Sequence, residues 1–541
     1  VNYLYQMVRR DTDLISAHFL RLVCLSGLAN AAVLAVVNMS VQSTSHGKSG
    51  LLRGLVLFCL AIGIYVVSQK KLMVDTCGRV EDLIVRLRWR LLVAVSNSEY
   101  HEVERIGRSE IFGNLSRETH VLSQATPNLI VAVQSAVLLI ASMTYMFFLS
   151  KLAFFLLAGF TTIGAMFHLS RNKLASTHIQ DAARNDDTLI EGFSDLIDGF
   201  REVKLNRARS VELADTIGAV STRSRNSRLL VHTLNAHDFV LSQLTFFILT
   251  GLMVFIVPAF GSADSKTITM TTTATLFMLG PVGALVGNFP VFNNANEAAK
   301  RIRDLEDKLT SASRSGCATD PVDTFAAFEE ITLDNLAYAY PAPAGEASFA
   351  VGPNSLRIKR GDCIFITGGN GSGKTTFINL LLTLIPANDG NIVVDGVTVR
   401  QADLAAYRNL FSVIFSDNHL FKTLYGAQPF TPQETEELLA EMEISHKVEI
   451  RDNRYSSTDL SGGQRKRIAL VTAQLERKPV LVLDEWAADQ DPVFREKFYR
   501  QVIPSLRARG CTIIAITHDD RYFDVADARY HMADGKLERL A

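Results

Sequence analysis

Apolar residues fall into six long runs before Phe292, at about 22–39, 51–68, 128–149, 152–169, 239–260 and 273–292. Each approaches the roughly 20 residues that a helix needs to cross about 30 Å of hydrocarbon, so the pattern predicts six transmembrane helices. Arg53 lies near the end of the second run, where a long side chain can snorkel to the interface. Three connections are short and polar: Ser40 to Gly50, Ser150-Lys151, and Gly261 to Thr272. The other two, over about 69–126 and 170–237, are long and hold most of the basic residues of this half, among them Lys70, Arg79, Arg88, Arg105 and Arg117, then Arg184, Arg201, Arg207, Arg225 and Arg228. The positive-inside rule puts both long links and both termini on the cytoplasmic side. Apolar residues at helical spacing, Val80-Leu83-Ile84-Leu87 and Leu189-Ile190-Phe193-Leu196-Ile197-Phe200, predict that the links continue the spans as helices.

Residues 1–21 carry Arg9, Arg10 and Arg21 among apolar neighbours, the mark of a short amphipathic segment lying on membrane lipid. The first apolar run lacks a small-residue cleavage site, so a cleavable signal peptide is not expected. Pro258, Gly280-Pro281, Gly283, Gly287 and Pro290 interrupt the last two spans. A broken helix there would form either the moving wall of a pathway or an ordinary packing kink.

The pattern changes after a charged, then Ser/Thr/Ala-rich stretch from Arg301 to Asp323. From Phe325, short apolar runs alternate with turns and helical segments, which predicts an α/β domain with a largely parallel sheet. The expected fold is therefore multidomain: an all-α six-helix transmembrane domain at 1–312, a linker at 313–324, and an α/β domain at 325–541. A formal net charge of -1 argues against a nucleic-acid partner held by bulk electrostatics. The six cysteines show no C-x-x-C pairing, and the scattered histidines, such as His101, His120 and His178, have no metal-binding spacing.

The chemistry sits in the second half. Gly368-Gly369-Asn370-Gly371-Ser372-Gly373-Lys374-Thr375 follows the strand-like Cys363–Thr367 and precedes a helical run from Thr376. This G-x-x-x-x-G-K-[ST] pattern in its strand-loop-helix setting is a phosphate loop. Its glycines turn successive N–H groups toward one centre, and the helix adds its positive N-terminal end. Lys374 would reach the β- and γ-phosphates of ATP, and the Thr375 hydroxyl would ligate Mg²⁺. Val480-Leu481-Val482-Leu483-Asp484-Glu485 is an apolar strand ending in two carboxylates. Beside the phosphate loop, Asp484 would hold Mg²⁺ and Glu485 would polarise the attacking water. A further strand, Ile513–Thr517, ends in His518, an imidazole able to contact the γ-phosphate.

Leu460-Ser461-Gly462-Gly463-Gln464 resembles the signature motif of the ATP-binding-cassette superfamily. In that family the signature of one subunit closes over nucleotide bound to the other's phosphate loop. The resemblance therefore implies a dimer, most simply two copies of this chain. It also implies that Tyr340 stacks on adenine, that Thr376 belongs to the nucleotide site, that Asp491 ends the loop after the catalytic Glu485, and that His518 is the switch histidine. Ser416 stands where the family carries a Gln that touches Mg²⁺ and signals to the membrane half; the neighbouring Asp417 would take over part of that role as a metal ligand.

Six spans followed by one cassette look like a half-size, type I ABC exporter. Asp484–Pro492, Phe415-Ser416-Asp417, His518–Phe523 and Gly199–Asn206 look more narrowly like the cyclic-peptide exporter family, which handles syringomycin-type lipopeptides, pyoverdine precursors and lasso-peptide microcins. That resemblance implies ATP-driven export of a peptide-like cargo across a bacterial inner membrane, with the ends of the two long links, around Glu102–Asn114 and Asn206–Thr216, transmitting cassette closure. Two alternatives are an exporter-like importer of a metal–siderophore complex and a membrane protein whose cassette binds ATP without hydrolysing it.

Overall fold

A computed structural model describes residues 3–11, 17–43, 48–257, 265–312, 324–340 and 349–540. Pro258 and linker residues 313–323 lie outside the described residues. The chain forms two compact units, Val1–Ser96 with Ile106–Thr310, and Asn97–Arg105 with Ser311–Ala541.

The first unit is helical: α1 (Tyr3–Asp11), α2 (Ala17–Ser43), α3 (Lys48–Asn97), then, past α4 (Tyr100–Ile106), α5 (Arg108–Gly113), α6 (Thr119–Leu149), α7 (Lys151–Asp198), α8 (Phe200–Leu205), α9 (Arg207–Phe255) and α10 (Ser265–Ala312). At 50 residues, α3 is about 75 Å long, more than twice the hydrocarbon thickness, so span and link are one rod. Breaks come where capping residues force them. Ser150 is extended and its hydroxyl accepts from Ala153 N at 3.4 Å, starting α7 directly after α6. Asn206 does the same for α9 through Arg209 N at 3.2 Å. Pro281 and Pro290 sit inside the continuous α10, so the last span is not broken at either residue. Among the described residues, five helices are long and apolar enough to cross a membrane: Ala17–Met39, Leu52–Asn97, Arg108–Leu149, Arg207–Phe255 and Thr267–Ser311. The fourth expected span falls in α7, whose described apolar part, Lys151–Gly164, is shorter than a full span.

Two kinds of contact hold this unit. Apolar packing joins Leu83, Ile84, Leu87 and Leu91 of α3 to Leu122 of α6 and Ile302, Leu305 and Leu309 of α10. Polar groups inside the bundle pair with one another: Ser26 donates to Gln69 Oε1 at 2.9 Å, and Gln134 Nε2 donates to Ser26 Oγ at 3.0 Å and also to Gln69. Beyond the apolar stretch the pairs are ionic. Buried Glu118 ends a π-helical turn (Asn114–Glu118) and meets both Arg117 and Arg301 at 3.1 Å.

The second unit holds two main sheets and a short antiparallel pair, β7 (Ile450–Arg451) with β8 (Arg454–Tyr455). An antiparallel one runs β2-β1-β4-β5, built from β1 (Glu330–Ala339), β2 (Ala350–Lys359), β4 (Asp389–Val394) and β5 (Val397–Thr398). The larger runs β12-β11-β3-β10-β9-β6, from β3 (Cys363–Gly368), β6 (Phe411–Ile414), β9 (Val480–Asp484), β10 (Thr512–Ile516), β11 (Ala528–Ala533) and β12 (Lys536–Arg539). Its central strands β3, β9 and β10 are parallel and buried at every position, which is why they read as unbroken apolar runs. Both faces are covered, one by a core including Phe328, Phe377 and Tyr407, the other by one including Trp486, Phe494 and Phe498. Asn97–Arg105 clusters with this unit, and Glu99 lies 3.5 Å from Arg408.

Glu118→Gln should cost about 1–3 kcal/mol, because two partly exposed guanidinium groups, Arg117 and Arg301, lose the charge of their shared buried acceptor. Thermal unfolding of the full chain in detergent tests this. An unchanged midpoint would remove Glu118 as a tie between α6 and α10.

Candidate functional site

The order β3-β10-β9 decides where the chemistry lies. Parallel neighbours end on the same edge, so the loop after β3, His518 after β10 and Asp484-Glu485 at the end of β9 emerge side by side. A pocket of roughly 380 Å³ opens there, lined by Tyr340, Phe349, Asn370, Gly371, Ser372, Gly373, Lys374, Thr375, Thr376 and Glu485.

The loop between β3 and α11 (Lys374–Leu381) has the shape its glycines permit. Gly368 sits at φ +151°, and a Cβ there would come within 2.3 Å of Met532 O. No side chain fits between β3 and β11 at that point. The buried Lys374 ammonium folds back, donating to Gly368 O at 2.9 Å and Gly369 O at 3.0 Å. The Ser372 hydroxyl is buried in the pocket wall without a hydrogen-bond partner. Tyr340 closes one side, its hydroxyl 3.0 Å from Thr376 Oγ1 and its ring edge-on to Tyr338.

Asp484 is 2 % exposed and its Oδ2 has no hydrogen-bond partner. Burial first and the neighbouring Glu485 second push its carboxyl above the usual range, while Ser416 and Lys374 pull it down. A buried carboxylate oxygen with nothing to accept from, next to a phosphate loop, fits a cation such as Mg²⁺. Glu485 takes a left-handed backbone conformation (φ 49°), and its Oε1 lies 3.5 Å from His518 Nε2. His518 is itself bracketed: Tyr499 bonds Thr517 Oγ1 at 2.7 Å and donates to Asp519 Oδ2 at 3.0 Å.

Other expected residues lie elsewhere. Ser461 is the N-cap of α12 (Gly462–Glu476), with Gln464 Oε1 accepting from Ser461 N at 3.3 Å. A Cβ on Gly463 would meet Asp489 O at 2.5 Å, so the loop after Glu485 rests directly on the start of this helix. Asp491 caps α13 (Pro492–Lys497), accepting from Phe494 N at 2.9 Å and from Arg467 at 2.8 Å. These bonds, Phe494 N first, hold its carboxyl below the usual range. Ser461, Gly462, Gly463, Gln464 and Asp491 do not line the pocket of their own chain. Asp417 is exposed on the loop after β6, where its charge, after burial and Glu104, helps raise the Tyr100 phenol.

Comparison with known proteins places this geometry. A family model described as "ABC transporter" matches residues 351–488. ATP-binding protein SyrD of Pseudomonas syringae pv. syringae is 30% identical over 531 residues, covering 94% of this chain and 91% of that protein. The chain is an ABC transporter. An ATP-dependent lipid A-core flippase of Idiomarina loihiensis is 24% identical over 387 residues, 68% of this chain and 63% of that one. The solved structure of a bacterial Atm1-family ABC exporter with ATP bound shares the fold, with a TM-score of 0.79 at 15% identity over 98% of this chain and 95% of that one. The layout is that of a half-size exporter, one helical membrane unit and one cassette, and the transporter couples ATP hydrolysis to export.

Sequence reasoning missed part of the pocket. Phe349 forms a second aromatic wall of the transporter's site, brought there because its carbonyl accepts from Tyr340 N at 3.1 Å across the β1–β2 hairpin. Its only sequence signal was an aromatic residue directly before β2. Arg495, which joins Asp519 at 3.2 Å to Gln490 O at 3.0 Å, had no signal at all.

Gly463→Ala should leave ATP affinity within about twofold and lower kcat by at least tenfold, because the new methyl must displace a backbone carbonyl rather than a mobile side chain. Fluorescent-nucleotide titration and steady-state hydrolysis separate the two. Wild-type kcat would mean that the contact between this helix and the Asp489 carbonyl is slack.

Proposed function

We propose that the transporter is a homodimer in a bacterial inner membrane, with both termini cytoplasmic, exporting a peptide-derived natural product: a cyclic peptide, lipopeptide or siderophore precursor. We assign the transmembrane domain to 1–312, the linker to 313–324 and the nucleotide-binding domain to 325–541. The observation that carries the ATP-driven part is the pocket joining Asn370–Thr376 to Glu485 on a chain with several membrane-length helices. The cargo class is supported by the resemblance of Asp484–Pro492 and Gly199–Asn206 to cyclic-peptide exporters.

In this reading Lys374 exchanges its two loop carbonyls for β- and γ-phosphate oxygens, trading neutral acceptors for charged ones. The loop N–H groups of Gly368–Thr376 cradle the phosphates, and Tyr340 and Phe349 flank the adenine. Thr375 and Asp484, with Asp417 as a further carboxylate, hold Mg²⁺, which neutralises phosphate charge when bound. Glu485 takes the proton of the water that attacks the γ-phosphate, yielding ADP and phosphate, while His518 orients that phosphate. Ser461, Gly462, Gly463, Gln464 and Asp491 serve the nucleotide of the second copy, which agrees with their position away from their own pocket.

Closure must reach the membrane half. Asn97–Arg105, including the Glu99–Arg408 pair, clusters with the cassette and overlaps Glu102–Asn114, which supports that end of the first link as a transmitting segment. In the second link α8 leaves Phe200 and Leu205 exposed, 57% and 89%, an apolar tip suited to docking on a second copy. ATP drives the cycle only by binding the closed dimer more tightly than the open one.

The purified full chain in lipid should hydrolyse ATP, and Glu485→Gln should reduce kcat by about 100-fold or more while sparing nucleotide binding. One class among cyclic peptides, lipopeptides and siderophore precursors should stimulate the wild type and enter inverted vesicles with ATP. A rate indifferent to the whole panel would remove the peptide cargo; uptake in the opposite orientation would make the transporter an importer; hydrolysis absent or independent of Glu485 would remove the assigned mechanism.

A further inference from the structure

Lys466 lies two residues beyond the signature, on the first turns of α12, and is only 4 % exposed. A cation is rarely buried this deeply without a specific counterpart. Its Nζ donates to the backbone carbonyl of Glu485 at 2.9 Å and lies 2.7 Å from Asp489 Oδ2. The grip is reciprocal, because the Trp486 indole N–H donates to the carbonyl of Lys466 at 2.8 Å. Trp486 is itself fixed, 1 % exposed and packed on Phe498 at 4.1 Å between ring centroids.

What this clasp holds is the peptide at which β9 turns toward the pocket. Glu485 N donates to Ile516 O at 3.2 Å, anchoring the residue to β10, and its backbone then adopts φ 49°, ψ 37°. A residue other than glycine keeps that left-handed conformation only where its surroundings over-determine it. Here the turn leaves the Glu485 side chain lining the pocket with the phosphate loop, 3.5 Å from His518. The carbonyl so turned accepts from Ala488 N at 3.3 Å and, more closely, from the Lys466 ammonium, the one side chain that reaches it among the described residues, and Asp489 keeps the ammonium aimed at it. The following loop is fastened to the same helix by Gln490 Nε2 donating to Gly463 O at 3.0 Å.

We propose that Lys466 is a positioning residue for hydrolysis: it fixes the backbone turn that aims Glu485, and so ties the signature end of α12 to the base in the same cassette. This rests on Glu485 acting as the base. Since the signature serves the second copy's nucleotide in that reading, a shift of α12 on dimer closure would be felt at Glu485 of the same chain. Lys466 touches neither nucleotide nor the attacking water. Its loss therefore changes turnover and not nucleotide binding.

The test compares Lys466→Met, Lys466→Arg, Asp489→Asn and Glu485→Gln with wild type, each as full chain in lipid, by ATP hydrolysis and by titration with a fluorescent ATP analogue. Lys466→Met should lower kcat by at least about tenfold with KM and analogue Kd within about twofold; Lys466→Arg should restore kcat to within about threefold of wild type. Asp489→Asn, at a half-exposed side chain, should fold normally and lower kcat by about two- to fivefold. A purely structural lysine would instead lower the bindable fraction and kcat together, without rescue by Arg, and that result overturns the proposal. So does a Lys466→Met kcat within twofold of wild type while Glu485→Gln is inactive. If Lys466→Met does not fold, Asp489→Asn decides, and wild-type turnover there overturns the proposal. Hydrolysis that survives Glu485→Gln overturns the Glu485 assignment and this inference with it.

Discussion

The site of this transporter depends on the burial of three neighbouring parallel strands. β3, β10 and β9 expose no residue to solvent, and their registers, Ile513 against Cys363 and against Leu481, are set by apolar packing on both faces. A slip of one residue would exchange the side chains packed against the two cores, so close packing on both faces holds the register. Because the strands are parallel, that register also fixes where they end. The phosphate loop, His518 and Asp484-Glu485 are neighbours as a consequence of core packing.

At those ends the polar groups are poised rather than satisfied. Lys374 rests on loop carbonyls that a phosphate can replace, Ser372 and Asp484 hold buried oxygens without partners, and the Asp484 carboxyl is pushed up by its surroundings. Unpaired buried oxygens are costly in water-free surroundings, and a bound anion and cation would offset that cost together. The signature helix is held apart from this pocket, yet fastened to its rim through Gly463, Lys466 and Arg467. One cassette thus joins the pocket and the signature helix by hydrogen bonds of known partners.

The helical unit answers a different constraint. Inside an apolar bundle a polar side chain must find another, and Ser26, Gln69 and Gln134 do so across α2, α3 and α6. Beyond the apolar stretch the same helices continue as rods, where ion pairs such as Glu118–Arg301 replace amide contacts. The Thr hydroxyls of α10, as at Thr271 and Thr275, bond carbonyls four residues back, so these polar atoms are satisfied within the helix itself.

Local signals determined much of this. Apolar runs of membrane length, a phosphate loop between strand and helix, a strand ending in Asp484-Glu485, and Leu460–Gln464 each need only neighbours in the chain to be read, because backbone period and turn chemistry are local properties. The family followed from those residues. Other features exist only after distant segments meet. Phe349 joins the pocket through a hairpin contact, Asn97–Arg105 belongs with the cassette because it packs there, and Asp491 turns to Arg467 and Phe494. Pro281 and Pro290 left a break and a kink equally open in the sequence, and the packed helix carries both residues without interruption. Lys466 stands between Arg465 and Arg467 in the sequence; its burial under Glu485 and Asp489 is a matter of three-dimensional packing, which spacing along a chain does not encode.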